Sequence, residues 1–106
     1  MVVRNKDVKK KDLFKGASRK VLARGNGMML VEVHFDAGTV VEAHAHPHEQ
    51  VSYVVSGKIT LSMDGRDETL TSGDSFYAGP SVPHGVRFLE DSVVIDAFTP
   101  QREDFL

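Results

Sequence analysis

A chain of 106 residues, 41% hydrophobic and 26% charged, has the make-up of one globular domain with a single core and no room for two lobes. It has no cysteine, which excludes disulfides and thiolate metal sites and suits a cytoplasmic protein. The formal net charge of −2 is uneven: residues 1–27 hold nine Lys or Arg against Asp7 and Asp12, whereas residues 28–106 hold four basic and thirteen acidic side chains.

In chain order, residues 1–17 read as a basic N-terminal arm, with no apolar run that would make a signal peptide. No segment approaches the roughly 18 apolar residues of a membrane span. The arm has little aromatic character to stack on bases, so nucleic acid is not an expected partner. Residues 18–106 read as the folded domain. Met28–Phe35 alternates, with Met29, Val31, Val33 and Phe35 on one face, and Asp36-Ala37-Gly38 ends it. Val51–Val55 is β-branched and aromatic and stops at Ser56-Gly57. Ile59–Met63 alternates up to Asp64-Gly65, a hairpin signal in which both central residues adopt positive φ. Glu68–Leu70, Ser75–Ala78, Val86–Leu89 and Val93–Phe98 complete a series of short strands separated by turn residues. The pattern predicts an all-β sandwich or barrel.

Four of the five histidines fall in two places, His44-Ala45-His46-Pro47-His48-Glu49-Gln50 and Pro83-His84-Gly85. In an extended segment His44 and His46 point to one side with Cα atoms ~6.8 Å apart, close enough to converge on one ion. His44 and His48 would stand ~13.6 Å apart on a straight strand. Gln50 has the parity of the pair and reaches an ion only if the chain turns near Pro47. Either Gln50 or His48 could therefore complete the set with His84. Three imidazoles and an amide oxygen suit one divalent ion, Ni, Zn, Fe, Mn or Co, with coordination positions left open for a ligand.

The segment Gly38, five residues, His44-Ala45-His46, three residues, Gln50, six residues, Gly57 matches the first motif of the cupin superfamily at every spacing. Gly73 and His84 match the first Gly and the His of the second motif, although Gly79, Ser81 and Phe88 stand where that motif has Pro, Gly and Asn. The resemblance implies a single small cupin barrel of the double-stranded β-helix or jelly-roll kind, with a metal in its lumen. SRKVLA (18–23), MMLVEVHF (28–35), HAHPHEQVSYVVSG (44–57), GDSFYAGPSVPHGV (73–86) and IDAFTPQREDFL (95–106) resemble the KdgF family more narrowly. These cupins linearise 4,5-unsaturated uronates released by pectin and alginate lyases. The resemblance implies metal ligation by His44, His46, Gln50 and His84 and catalytic roles for Asp96 and Arg102.

Arg102 could fork onto a substrate carboxylate. His48, Ser52, Tyr53 and Arg87 are further candidates for contact with a small acidic sugar. The same open-sided metal site could serve another metal enzyme, such as a dioxygenase, or a non-catalytic acid sensor. A homodimer is expected, because pairing protects exposed strand edges.

Overall fold

The computed structural model describes residues 1–106, with ten strands and short 3-10 turns at Asn5–Asp7 and Glu103–Phe105. The strands are β1 (Lys11–Phe14), β2 (Ala17–Arg24), β3 (Met29–Phe35), β4 (Val40–His44) and β5 (Glu49–Ser56), followed by β6 (Lys58–Met63), β7 (Arg66–Thr71), β8 (Ser75–Ala78), β9 (His84–Phe88) and β10 (Ser92–Thr99). One sheet runs β1-β2-β3-β10-β5-β8 and the other β4-β9-β6-β7. Every pairing is antiparallel. The sheets form the two walls of the expected jelly roll. No helix is long and apolar enough to cross a membrane.

Alternation in the sequence becomes alternation in burial. Met29, Val31 and Val33 of β3 face inward, and so do Gln50, Ser52 and Val54 of β5. The intervening Val51, Tyr53 and Val55 lie on the outer face. The Asp64-Gly65 turn joins β6 to β7 with φ of 55° and 72°, as the hairpin signal requires. Gly57 bends the chain at φ 98°, against a backbone so close that an added Cβ would collide with Ser92.

Three strands escape the hydrophobic pattern. β2 carries Arg19, Lys20 and Arg24, and its residues are mostly half-buried, so its edge over β3 comes from ladder pairing rather than from an apolar stripe. β4 is largely exposed and is placed by its pairing with β9. β1 returns on β2 through Lys15-Gly16, with Gly16 at φ 89°. The sheet therefore begins at Lys11, and residues 11–17, expected to belong to a separate basic arm, are part of the barrel.

The core has two parts. Met29, Val31, Val33 and Phe98 pack in one, with Leu13, Val21, Phe35 and Phe105 against them. Val54, Ile59, Phe88 and Val94 pack in the other. Phe35 and Phe88 stack across the sheets, ring centroids 3.8 Å apart and 12° from parallel, and tie the two walls together. Beside this stack the interior is hollow, a cavity of ≈ 390 Å³ whose wall includes His44, Gln50, His84, Asp96, Phe98 and Arg102.

Candidate metal and substrate site

The site is assembled where the chain changes sheets. β4 ends at His44, and residues 45–48 carry the backbone to Glu49 in the opposite wall. Pro47 lies in this crossing, where a fixed φ suits a bend. His44 thus belongs to the four-stranded wall and Gln50 to the six-stranded one, with His46 between them. His84 opens β9 and pairs in register with His44. The ring centroids are 4.6 Å apart for His44 and His84, 5.1 Å for His46 and His84, and 5.6 Å for His44 and His46. One nitrogen from each ring lies within 4.8 Å of the others.

Backbone carbonyls orient two of the rings. His44 Nδ1–H donates to the Glu42 carbonyl at 3.1 Å and His84 Nδ1–H to the Val82 carbonyl at 2.9 Å. A carbonyl only accepts, so each Nε2 keeps its lone pair free, the tautomer a metal ligand needs. His46 Nε2 lies 3.0 Å from Gln50 Oε1. Two atoms bound side by side on an octahedral ion at ~2.1 Å lie ~3.0 Å apart, so this pair has the spacing of adjacent ligands. His46 Nδ1 is buried without a protein partner. Burial, the Arg102 charge and the neighbouring histidines hold the His46 imidazole below its ordinary pKa; burial, His44 and Arg102 do the same for His84. Neutral imidazole is the form that ligates. The residues fit a divalent ion held by His44, His46, His84 and Gln50.

A hydrogen-bond chain leads from this cluster to a buried acid. Gln50 Nε2 donates to Ser52 Oγ at 2.9 Å, and Ser52 Oγ–H donates to Asp96 Oδ1 at 2.6 Å. Asp96 faces the cavity from β10, directly across from Ser52. Burial pushes its carboxyl up to about 6, against the Ser52 hydrogen bond and the Arg102 charge, which both pull it down. The 3-10 turn at Glu103–Phe105 folds Arg102 back onto the barrel. Its guanidinium carbon stands 5.3 Å from the Phe98 ring centre and 4.4 Å from that of Phe105, and its backbone N–H points at Met29 Sδ, 3.1 Å away.

The structure thus brings together His44, His46, Gln50, His84, Asp96 and Arg102. The other candidates stand elsewhere. His48 lies beside the cluster, 5.3 Å from His46 and 6.4 Å from Phe98 between ring centres, and is not among the three converging nitrogens. Ser52 faces inward but is fully buried beneath Gln50 and Asp96 and is not part of the cavity lining. Tyr53, next along the strand, faces outward and is half exposed. Arg87 also faces outward, 3.6 Å from Asp67, because its neighbours Val86 and Phe88 take the inward positions of β9. Strand parity removes both from the lumen.

Among the wall residues not singled out from sequence are Leu13 and Phe14 of β1, Phe98 and Phe105. Phe98 shares the inward parity of Asp96, which could have identified it. Nothing local marks the other three, since their place depends on how the two chain ends fold over the barrel.

A cupin-domain pattern matches residues 31–98. The pectin degradation protein KdgF of Dickeya dadantii is 38% identical over 97 residues, spanning 90% of this chain and 88% of that protein. The structure of KdgF from a Halomonas species superposes with a TM-score of 0.95 at 38% identity, covering 100% of this chain and 98% of that one. An RmlC-like cupin from Shewanella frigidimarina has the same TM-score of 0.95 and 38% identity, over 99% and 95% of the two chains. With its motif histidines converged inside a jelly roll and its length matched almost end to end, the chain belongs to the cupin superfamily and, within it, to the KdgF family.

Proposed function

We propose that this chain is a metal-dependent enzyme that opens cyclic 4,5-unsaturated uronate monosaccharides, the products of pectin or alginate lyases, to 4-deoxy-5-keto uronates. The observation that carries the reading is that His44 and His84 of the histidine cluster, Gln50, Asp96 and Arg102 all border one cavity of ≈ 390 Å³, a size suited to one sugar acid. The name of the Dickeya relative supports pectin breakdown as the setting.

Arg102 is the cation for the substrate carboxylate. Phe98 and Phe105 hold its guanidinium in place. Asp96 is the proton carrier. As a carboxylate it takes the proton of the anomeric hydroxyl; the C1 carbonyl forms, the bond from C1 to the ring oxygen breaks, and that oxygen keeps the electron pair as an enolate on C5. Asp96 then returns the proton to C4, and C5 becomes the ketone. The net change is one proton moved from oxygen to carbon, with no oxidant or water consumed. A carboxyl near 6 populates both forms close to neutrality, as a group that takes and gives one proton should. His44, His46, Gln50 and His84 would hold the divalent ion, which would supply Lewis-acid polarisation of a substrate oxygen when bound.

The same reading includes a homodimer. The outer faces of β5 and β8 carry Val51, Tyr53, Val55 and Tyr77, all exposed, an apolar strip of the kind subunit contacts cover.

The direct test follows ultraviolet absorbance of the unsaturated monosaccharide with metal-loaded protein. Loss of absorbance well above the spontaneous rate is expected. A rate equal to the spontaneous one sinks the proposal.

A further inference from the structure

The hydroxyl of Ser52 sits between a metal-ligand candidate and the proton carrier, with no exposed surface of its own. We infer that Ser52 is a positioning residue that locks the Gln50 amide oxygen toward the ion while holding the Asp96 carboxylate in place.

The argument is one of hydrogen counting. A hydroxyl has one proton to give and two lone pairs to receive. At 2.6 Å from Asp96 Oδ1, the proton goes to the carboxylate, which can only accept when ionised. The lone pairs of Ser52 Oγ then face Gln50 at 2.9 Å, and only the amide NH₂ can satisfy them. With Nε2 committed to Ser52, Oε1 must point the other way, to His46 Nε2 at 3.0 Å. An inverted amide would set its oxygen against Ser52 Oγ and its NH₂ against the histidine cluster. The orientation of the ligand amide is thus dictated through Ser52 by the charge on Asp96.

Backbone register makes this arrangement rigid. Ser52 lies mid-strand in β5, paired with Asp96 of β10 on one side and Phe76 of β8 on the other. The groups that face Asp96 are few. β5 contributes Ser52 and β3 contributes Val31, the C-terminal segment contributes Arg102, and across the cavity stand His44, His84 and Glu42. Ser52 is the one that donates a hydrogen bond to it.

The inference assigns a further residue to the site of the proposed reaction, but its test needs no uronate. In Ser52→Ala, zinc ion affinity measured by calorimetry falls about 10- to 100-fold, as for other groups that orient a ligand. In the metal-free protein, the Asp96 carboxyl, followed by carbon NMR, titrates about one pH unit higher than in the unaltered protein, having lost a charge-assisted hydrogen bond. Ser52→Thr, which keeps the hydroxyl, restores both, with thermal melting used to verify that each variant is folded. An alanine variant in which either zinc affinity or the Asp96 titration is unchanged overturns the assignment. If the unaltered protein leaves uronates untouched while both readouts move as stated, the proposed reaction fails and the role of Ser52 stands.

Discussion

Asp104 grips Arg102 at two points, accepting from Nε at 3.2 Å and from Nη2 at 2.8 Å. Arg102 in turn keeps the Asp104 carboxyl below the usual range. The contact takes one edge of the guanidinium and leaves the Nη1 side free to meet a second carboxylate. Arg102→Lys retains the charge but loses the fork and the ring contacts, so kcat/KM for the uronate falls about 10- to 100-fold. Asp104→Ala removes a largely exposed partner, so stability changes by less than about 1 kcal/mol, while KM rises several-fold as the guanidinium loses its orientation. Steady-state kinetics with both variants check this; Arg102→Lys at full activity would remove Arg102 from the site.

Asp96 gives the metal-free protein a pH-dependent weakness. Its carboxyl is raised from 3.8 to about 6, so between those values the folded state binds more protons than the unfolded one. The sign follows: this contribution is fully present below about pH 4, fades as pH rises to about 6, and is absent above. The difference of roughly two pH units corresponds to about 3 kcal/mol. Asp96→Asn should therefore be more stable than the parent at pH 7.5, by up to that amount, and no more stable at pH 4, while losing activity about 100-fold or more. Comparing urea midpoints of the two proteins at each pH isolates Asp96 from His46 and His84, whose lowered pKa values act in the opposite direction.

Metal uptake should depend on the converging residues and not on their neighbour. His46→Ala and His84→Ala are expected to lose zinc binding by a factor of 100 or more, whereas His48→Ala keeps one ion per chain. At a hundredfold excess of free metal over Kd, binding adds about 2.7 kcal/mol of stability, a rise in melting temperature of several degrees that a chelator abolishes. Because burial holds His46 and His84 neutral below the ordinary histidine pKa, the ion should stay bound to mildly acidic pH. Metal analysis of dialysed variants is the check; an empty parent protein would contradict it.

Ser81 occupies the left-handed region at φ 60°, where the cupin motif places glycine. Its N–H donates to the His46 carbonyl at 2.7 Å, so the strained turn buttresses the segment that carries the ligand. Ser81→Gly relieves the strain and keeps that bond, with an expected gain of up to about 1 kcal/mol and no change in zinc affinity. Chemical denaturation decides it; a loss of stability would show that the serine side chain contributes more than its backbone costs.

Legibility followed burial contrast. β3 and β5 were readable because every second residue is buried, β6 because its apolar residues alternate in sequence up to a hairpin, and the Asp64-Gly65 turn because only a positive φ closes it. β1, β2 and β4 were not, because half-exposed strands have no apolar stripe and are fixed by partners distant in sequence. At the cluster, spacing alone paired His44 with His46 and left Gln50 and His48 open, the full set of four being implied by the cupin resemblance, while Tyr53 and Arg87 were misplaced by chemistry that strand parity overrules. The Arg102–Asp104 contact left no trace, since it exists only once the C-terminal turn docks.

The change of sheet between His44 and Glu49 has one more consequence. His44 and His84 hang from one wall and Gln50 from the other, with His46 on the span between them. A cation gripped by all four is a rivet through both layers. Occupancy and cohesion of the sandwich then become a single thermodynamic quantity, and stripping the ion should quicken amide exchange first at the end of β4 and the start of β9, where the layers would be free to part.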